Sequence, residues 1–374
     1  MFKEAKHPDR IFVGVVWQID PEADGYCFEK SFADHAQVRS LYLHHGDAKG
    51  PCFARALAQT LWRGETYFLQ IDSHMRFVQD WDEMLLTDLK SCPSSKPILS
   101  TYPPPYELGG PTPTNREPLL LCASQWGELD HMLRIKGRKL DQCPSQPLPS
   151  LFLAAGLLFG SSDIILQAPY DPNLRNLFFG EEISLALRLW THGFDFFTPR
   201  ENMVYHLWTR EYRPTFRENM TEADLELEDA ARRTVRAQLG LPVPTFDSEP
   251  PTLTLQQVLD SLTFLPPPSF NASTTITPTP TPSSSPPPAD TSATDSKTDT
   301  KISPSLPLHS TDYGLGSVRT LAEFENHIGI NFTTREISAF SKNGGQAEEV
   351  FQPDQLALLM RIMQQQTGLS MNMT

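Results

Sequence analysis

The sequence lacks a basic run. Its 374 residues carry 31 Lys and Arg against 45 Asp and Glu, a formal net charge of −14. A nucleic-acid binder concentrates Lys and Arg on one face, so no nucleic-acid partner is expected. Long apolar stretches are also missing. Ile11-Phe-Val-Gly-Val-Val-Trp17 is the first apolar run, and it is shorter than the roughly 20 residues that cross a bilayer. It reads as a buried strand, and no membrane partner is expected. The opening Met1-Phe-Lys-Glu-Ala-Lys-His-Pro8 has no apolar signal region, so the expected location is cytoplasmic. Cysteine is scarce: five residues, Cys27, Cys52, Cys92, Cys122 and Cys143, none in a CxxC pair. That argues against a disulfide framework or a zinc ribbon and for a reducing compartment. No internal repeat is visible.

What is present divides into three parts. Residues 1–264 alternate strand and helix signals, residues 265–311 form a Pro/Ser/Thr-rich linker, and residues 312–374 read as a small helical unit. In the linker, Thr277-Pro-Thr-Pro-Thr-Pro-Ser-Ser-Ser-Pro-Pro-Pro288 has too little apolar surface to offset its ordering entropy. In the first part, Tyr67 to Ile71 is a strand running into Asp72. Pro51 to Arg63 is a helix stopped by Gly64. Trp81 to Lys90 is a helix capped by Asp80 or Asp82. Leu151 to Phe159 is a central apolar strand, Gly180 to Thr191 a helix, Met203 to Trp208 a strand, and Thr221 to Leu239 a capped helix. This alternation predicts an α/β fold with a mainly parallel central sheet covered on both faces. In the tail, Thr320 to Glu323 and Thr333 to Glu336 both have capping-box spacing, and Pro353 to Gln366 is an amphipathic helix.

Chemistry concentrates at Asp72-Ser73-His74, at the carboxyl end of a strand, where open α/β sheets bind ligands. In extended backbone, residues i and i+2 point the same way, so Asp72 and His74 can share one cation. A carboxylate with an imidazole suits Mn²⁺ or another borderline divalent ion bearing a diphosphate. As a bare triplet the pattern also fits a loop Asp in an Asx turn. His206 is the best candidate for a third ligand, against the alternative of a histidine filling a strand face. Glu181 and Glu182 open a helix about 100° apart, so at most one is expected to face a site. The helix start near Gly50 could bind an anion, and Arg55, one turn in, could reach a diphosphate or pair with an acid. Trp208, Tyr205 and Trp190 could stack on a sugar or base, or serve as core.

With those residues in hand, the chain resembles the cytoplasmic polypeptide N-acetylglucosaminyltransferases. The best-known members of that family modify hydroxyproline on the adaptor subunit of SCF-type ubiquitin ligases. The most specific stretches are Gln70-Ile-Asp-Ser-His-Met-Arg-Phe77 and Phe178-Phe-Gly-Glu-Glu182. Ala48 to Arg55, Leu99 to Pro104, Ala154-Ala-Gly156, Tyr170-Asp-Pro172, Arg188 to Gly193 and Tyr205-His-Leu-Trp208 support them. The resemblance implies a GT-A glycosyltransferase fold and retaining transfer from UDP-GlcNAc to a protein hydroxyl, of hydroxyproline or Ser/Thr. It implies that Asp72 and His74 form the Asp-x-His version of an Asp-x-Asp metal motif. A more distant likeness to polypeptide N-acetylgalactosaminyltransferases adds His206 as third ligand and places Glu181 at sugar and acceptor. The donor-binding set is then Asp72, Arg55, Gly50 and Trp208. The chain departs from the family at Trp17-Gln-Ile-Asp-Pro21, where relatives have a Ser/Thr-Tyr-Arg-Asp-Pro type of segment that contacts uridine. Competing expectations are a different UDP-sugar, a nucleotide-sugar hydrolase, and a non-catalytic module that binds a nucleotide sugar or a protein.

Overall fold

The computed structural model describes residues 1–24, 35–209, 216–243, 251–266 and 313–346. The expected linker, save Leu265 and Pro266, and the expected helix Pro353 to Gln366 lie outside the described residues.

Strands β1 (Val13–Ile19) and β2 (Val38–His44) pair in parallel, with Trp17 opposite Tyr42. Helix α1 (Gly50–Gln59) follows. It has Pro51 in its first turn, where a missing N–H costs nothing, and buries Cys52, Phe53, Ala56 and Leu57. Next come β3 (Tyr67–Ile71), β4 (Met75–Phe77) and α2 (Trp81–Ser91). Neither expected aspartate caps α2 as predicted. Asp80 is left-handed with no side-chain capping bond. Asp82 instead accepts from the backbone N–H groups of Lys6, at 2.6 Å, and His7, at 2.8 Å, and so ties down the amino-terminal segment.

The chain continues through β5 (Pro97–Ser100), the antiparallel hairpin β6 (Leu119–Trp126) and β7 (Leu133–Lys139), β8 (Leu148–Ser150), β9 (Leu157–Ser161) and α3 (Asp163–Gln167). Then follow α4 (Glu181–Thr191), β10 (Asp195–Thr198), β11 (Val204–His206), α5 (Glu222–Gln238) and α6 (Leu255–Ser261). The reciprocal capping box expected at the start of α5 is present between Thr221 and Asp224.

The α/β class is as expected, with a mixed central sheet. The strand directions differ from expectation. The five-stranded sheet has the order β3-β9-β5-β10-β8, and only β5 with β10 is parallel; β9 runs antiparallel to both β3 and β5. The reason lies between β5 and β9. The chain there forms a hairpin and the short β8 rather than a helical crossover, so nothing obliges β9 to run parallel to β5. The expected strand over Leu151 to Phe159 is also shorter. Residues 151–156 approach as a buried irregular segment, and regular pairing starts at Leu157.

Both faces of this sheet are covered. Alternate strand residues point to opposite sides. Ile98, Leu158 and Phe196 join one apolar cluster with α4, whereas Leu99, Leu157, Phe159 and Phe197 join another with Trp81, Leu85 and Leu89 of α2.

The tail contributes α7 (Leu321–Ile328), the short hairpin β12 (Ile330–Asn331) and β13 (Glu336–Ile337), and α8 (Ala339–Lys342). The capping box at Thr320 and Glu323 is formed. The one expected at Thr333 to Glu336 is not: those residues close the hairpin turn, with Thr334 N–H donating to Asn331 Oδ1 at 2.8 Å and Arg335 left-handed. The four-residue spacing is common to a capping box and a tight turn, and cross-strand pairing decides between them. Phe324, Ile328, Ile330 and Phe332 are buried in the same cluster as α4.

Candidate functional site

The antiparallel pairing of β3 with β9 sets Ile71 opposite Leu157. This brings the carboxyl end of β3 beside the turn that precedes β9. A Cβ added to Gly156 would stand 3.2 Å from Asp72 Oδ2, so a residue without a side chain lets the backbone pass Asp72. Strand β5, on the other side of β9, leads into Thr101-Tyr102-Pro103 at this same end of the sheet.

Arg55 on α1 reaches across this end. Its guanidinium binds Asp72 Oδ1 at 2.6 Å through one nitrogen and Glu181 Oε1 through another. Glu181, the first residue of α4, is only 5% exposed. Burial raises its pKa, against the opposing pull of Arg55. Burial likewise opposes the charge on Arg55, but Glu181 foremost, then Tyr170 and Asp72, hold it firmly protonated. Arg55 is thus placed at the site. Of the two roles open to it, pairing with acids is the one the structure displays.

Glu182 is the residue that sequence reasoning missed. The 100° separation of adjacent helical residues holds: Glu181 turns to Arg55, and Glu182 turns to the Ala155 backbone and the Tyr102 hydroxyl. Glu182 Oε1 accepts from Ala155 N–H at 2.9 Å, while Ala155 O accepts from Gln70 Nε2 at 2.8 Å and faces Arg55 Nη2 at 3.4 Å. Glu182 Oε2 accepts from the Tyr102 hydroxyl at 2.6 Å. Burial pushes the Glu182 carboxyl up to about 7. It outweighs the Tyr102 and Ala155 bonds, and the Glu181 charge adds to it. The folded state therefore holds this proton more tightly than the unfolded chain does. The resulting stability is fully present below the ordinary value of 4.5 and is lost as pH rises through about 7. Urea unfolding should show wild type losing up to about 3 kcal/mol over that window relative to Glu182→Gln. Parallel pH profiles for the two proteins would contradict the assignment.

The chain bends at Ser73, and His74 has φ 63°, so the extended geometry that would point Asp72 and His74 the same way is absent. Asp72 turns to Arg55. His74 turns to His206, with ring centroids 6.5 Å apart. Strand β11 pairs with β4, setting His206 opposite Met75, and His206 N–H donates to Pro104 O at 3.0 Å. Among the described residues, no three His, Cys, Asp or Glu are grouped to hold an ion. The donor types fit a borderline divalent cation, and His74 with His206 form a neighbouring imidazole pair. The three-ligand set is not closed in this structure.

The remaining expected residues divide. Trp208 is 47% exposed beside His206, the two rings 4.6 Å apart and edge-on at 79°. Tyr205 and Trp190 are buried core. Gly50 has a packing role: φ is 82°, and a Cβ there would come within 2.9 Å of Asn176 Cα. The start of α1 is covered by Asn176, whose N–H donates to Lys49 O at 2.7 Å, and by Asp224, which pairs with Lys49 at 2.9 Å. An anion there would meet the Asp224 carboxylate. Trp17, in the segment that departs from the family pattern, donates from Nε1 to Ser40 Oγ at 3.0 Å and stacks on Tyr42 at 6.3 Å. It is built into the β1–β2 pair.

The fold sets a cluster of charged and aromatic side chains at the carboxyl end of β3 of an α/β protein. The chain belongs to the family described as Glycosyltransferase (GlcNAc), whose profile matches residues 22–334. No curated protein matches the chain. Among solved structures, the crystal structure of GalNAc-T7 with UDP, GalNAc and Mn²⁺ is similar at 15% identity and a TM-score of 0.36. The match covers 52% of this chain and 37% of that one, so the chain spans well under half of that protein's length.

Proposed function

We propose that the protein transfers GlcNAc from UDP-GlcNAc to a protein hydroxyl, of hydroxyproline or Ser/Thr, with retention and with Mn²⁺ or another divalent ion as cofactor. The observation that carries this reading is the Arg55 bridge between Asp72 and Glu181 at the carboxyl end of β3, in a chain whose family match spans 22–334. The adaptor subunit of SCF-type ubiquitin ligases is the acceptor that the sequence resemblance suggests, and a cytoplasmic location goes with it. No helix among the described residues is long and apolar enough to cross a membrane.

In this reading the chain's own groups bind and orient. Arg55 brings positive charge to the region of the diphosphate, and Glu181 holds Arg55 in place while facing sugar and acceptor. Trp208 offers a half-exposed indole. His74, His206 and Asp72 supply donors of the right type for the ion, which when bound neutralises charge on the leaving diphosphate. Transfer breaks the anomeric C–O bond to the diphosphate and forms one to the acceptor oxygen. The acceptor proton passes to the departing phosphate oxygen, so no protein base is required.

UDP release from UDP-GlcNAc, with and without Mn²⁺, tests the proposal. Wild type should release UDP in a Mn²⁺-dependent way, and Asp72→Ala should be slower by roughly a hundredfold, equivalent to about 2.7 kcal/mol of lost charge stabilisation. Equal rates for the two proteins, or none for wild type, would overturn it. Mass spectrometry of an acceptor peptide separates transfer from simple hydrolysis.

A further inference from the structure

Trp208 is a large aromatic residue left half in solvent at the site, yet its ring is fixed on three sides. Its Nε1 donates to Pro103 O at 3.0 Å. His206 meets it edge-on with centroids 4.6 Å apart, and Tyr102 meets it edge-on at 6.2 Å and 81°. Tyr102 is itself anchored, because its hydroxyl donates to Glu182 Oε2 at 2.6 Å. Glu182 is anchored in turn by Ala155 N–H on its other oxygen. Both Glu182 oxygens are therefore engaged within the protein. The carboxylate does not point at a ligand; it ends a chain of contacts running from the first turn of α4 to the exposed indole.

An exposed aromatic held this way loses little conformational entropy when a ring lies against it. The half-exposed indole is apolar and chemically suits the C–H face of a pyranose, while the charged groups of the site lie on Arg55, Asp72 and Glu181. We propose that Glu182 and Tyr102 are positioning residues that hold Trp208 as a stacking platform for the sugar ring of the donor. The inference rests on the nucleotide-sugar reading above and deepens it. Trp208 touches the sugar, and Tyr102 and Glu182 act only through Trp208.

Calorimetric binding of UDP-GlcNAc and of UDP, each to the full chain, separates this role from a merely structural one. Trp208→Ala should weaken UDP-GlcNAc by roughly five- to tenfold, the size of one aromatic contact, and leave UDP within twofold. Tyr102→Phe, which keeps the ring and loses the anchor, should show a smaller loss with the same selectivity. Adding Tyr102→Phe to Trp208→Ala should cost nothing further, since the platform is already gone. Glu182→Ala should resemble Tyr102→Phe. Glu182→Gln should recover most of that loss, because its amide can donate to Tyr102 Oη and still accept from Ala155 N–H. Equal losses for UDP and UDP-GlcNAc, or additive losses in the double variant, would overturn the inference while leaving the parent reading in place. Failure of wild type to bind either nucleotide would overturn both.

Discussion

Arg55→Met should destabilise the protein by about 3 to 5 kcal/mol, the cost of removing one partner from a buried ion pair. Methionine fills much the same volume, so the loss is electrostatic in origin. Glu181 is left buried with its principal counter-charge gone, and Asp72 loses the bond that turns it inward. Glu181 must then take up a proton or remain as a buried anion, and its folded pKa, already raised by burial, rises further. The sign follows from linkage: the folded state binds the proton more tightly than the unfolded state, so stability falls as pH rises above the ordinary carboxylate range. The deficit relative to wild type should accordingly be larger at pH 8 than at pH 5.5 in urea titrations. Adding Glu181→Gln should recover part of it. A deficit below about 1 kcal/mol at both pH values, as found for an exposed pair, would refute the assignment.

Phe324→Ala should cost about 3 to 5 kcal/mol, the range for truncating a buried phenylalanine. Phe324 is fully buried, with its ring 5.5 Å from Trp190 of α4 and 6.4 Å from Phe332. The same region is held by polar contacts. Arg319 pairs with Asp195 at 2.8 Å and lies 4.7 Å above the Trp190 ring, and Trp126 Nε1 donates to Arg335 O at 2.7 Å. Helix α4 opens with Glu181 and Glu182, so loss of packing at its far end should reach the site as well as the fold. A single cooperative thermal transition, shifted to lower temperature, is the expected outcome. A variant that unfolds at the wild-type midpoint would show that this tail contributes nothing to the cooperative unit.

The elements were legible where their signals are local. Tyr67–Ile71 is a strand with the bounds read from its composition, and the capping boxes at Thr221 and Thr320 form as their spacing predicts. Each depends on residues three or four apart, and nothing distant overrides it. The same spacing at Thr333 fails, because pairing of Ile330 with Ile337 commits those residues to a turn. Helix geometry allows at most one of Glu181 and Glu182 to face a site, but it does not reveal that the Ala155 N–H and the Tyr102 hydroxyl engage Glu182. Tyr102 and the Ala154 to Gly156 stretch carried no chemical signal of their own; only the resemblance marked them.

The sequence by itself determined the α/β class, the strand end that carries Asp72, the helix that opens on Glu181, and the kinship of the chain. The tertiary structure decided the partners. Arg55 and Glu181 are 126 residues apart, and Tyr102 and Glu182 are 80 apart. Whether such residues meet depends on strand direction, and that was the feature misread as mainly parallel. Antiparallel β9 sets Gly156 beside Asp72, and a left-handed His74 breaks the strand alternation from which a shared direction of Asp72 and His74 is expected. Periodicity and capping act within a few residues of chain. Strand order and the meeting of buried charges are set by which surfaces can be covered together, and no short stretch of sequence encodes that.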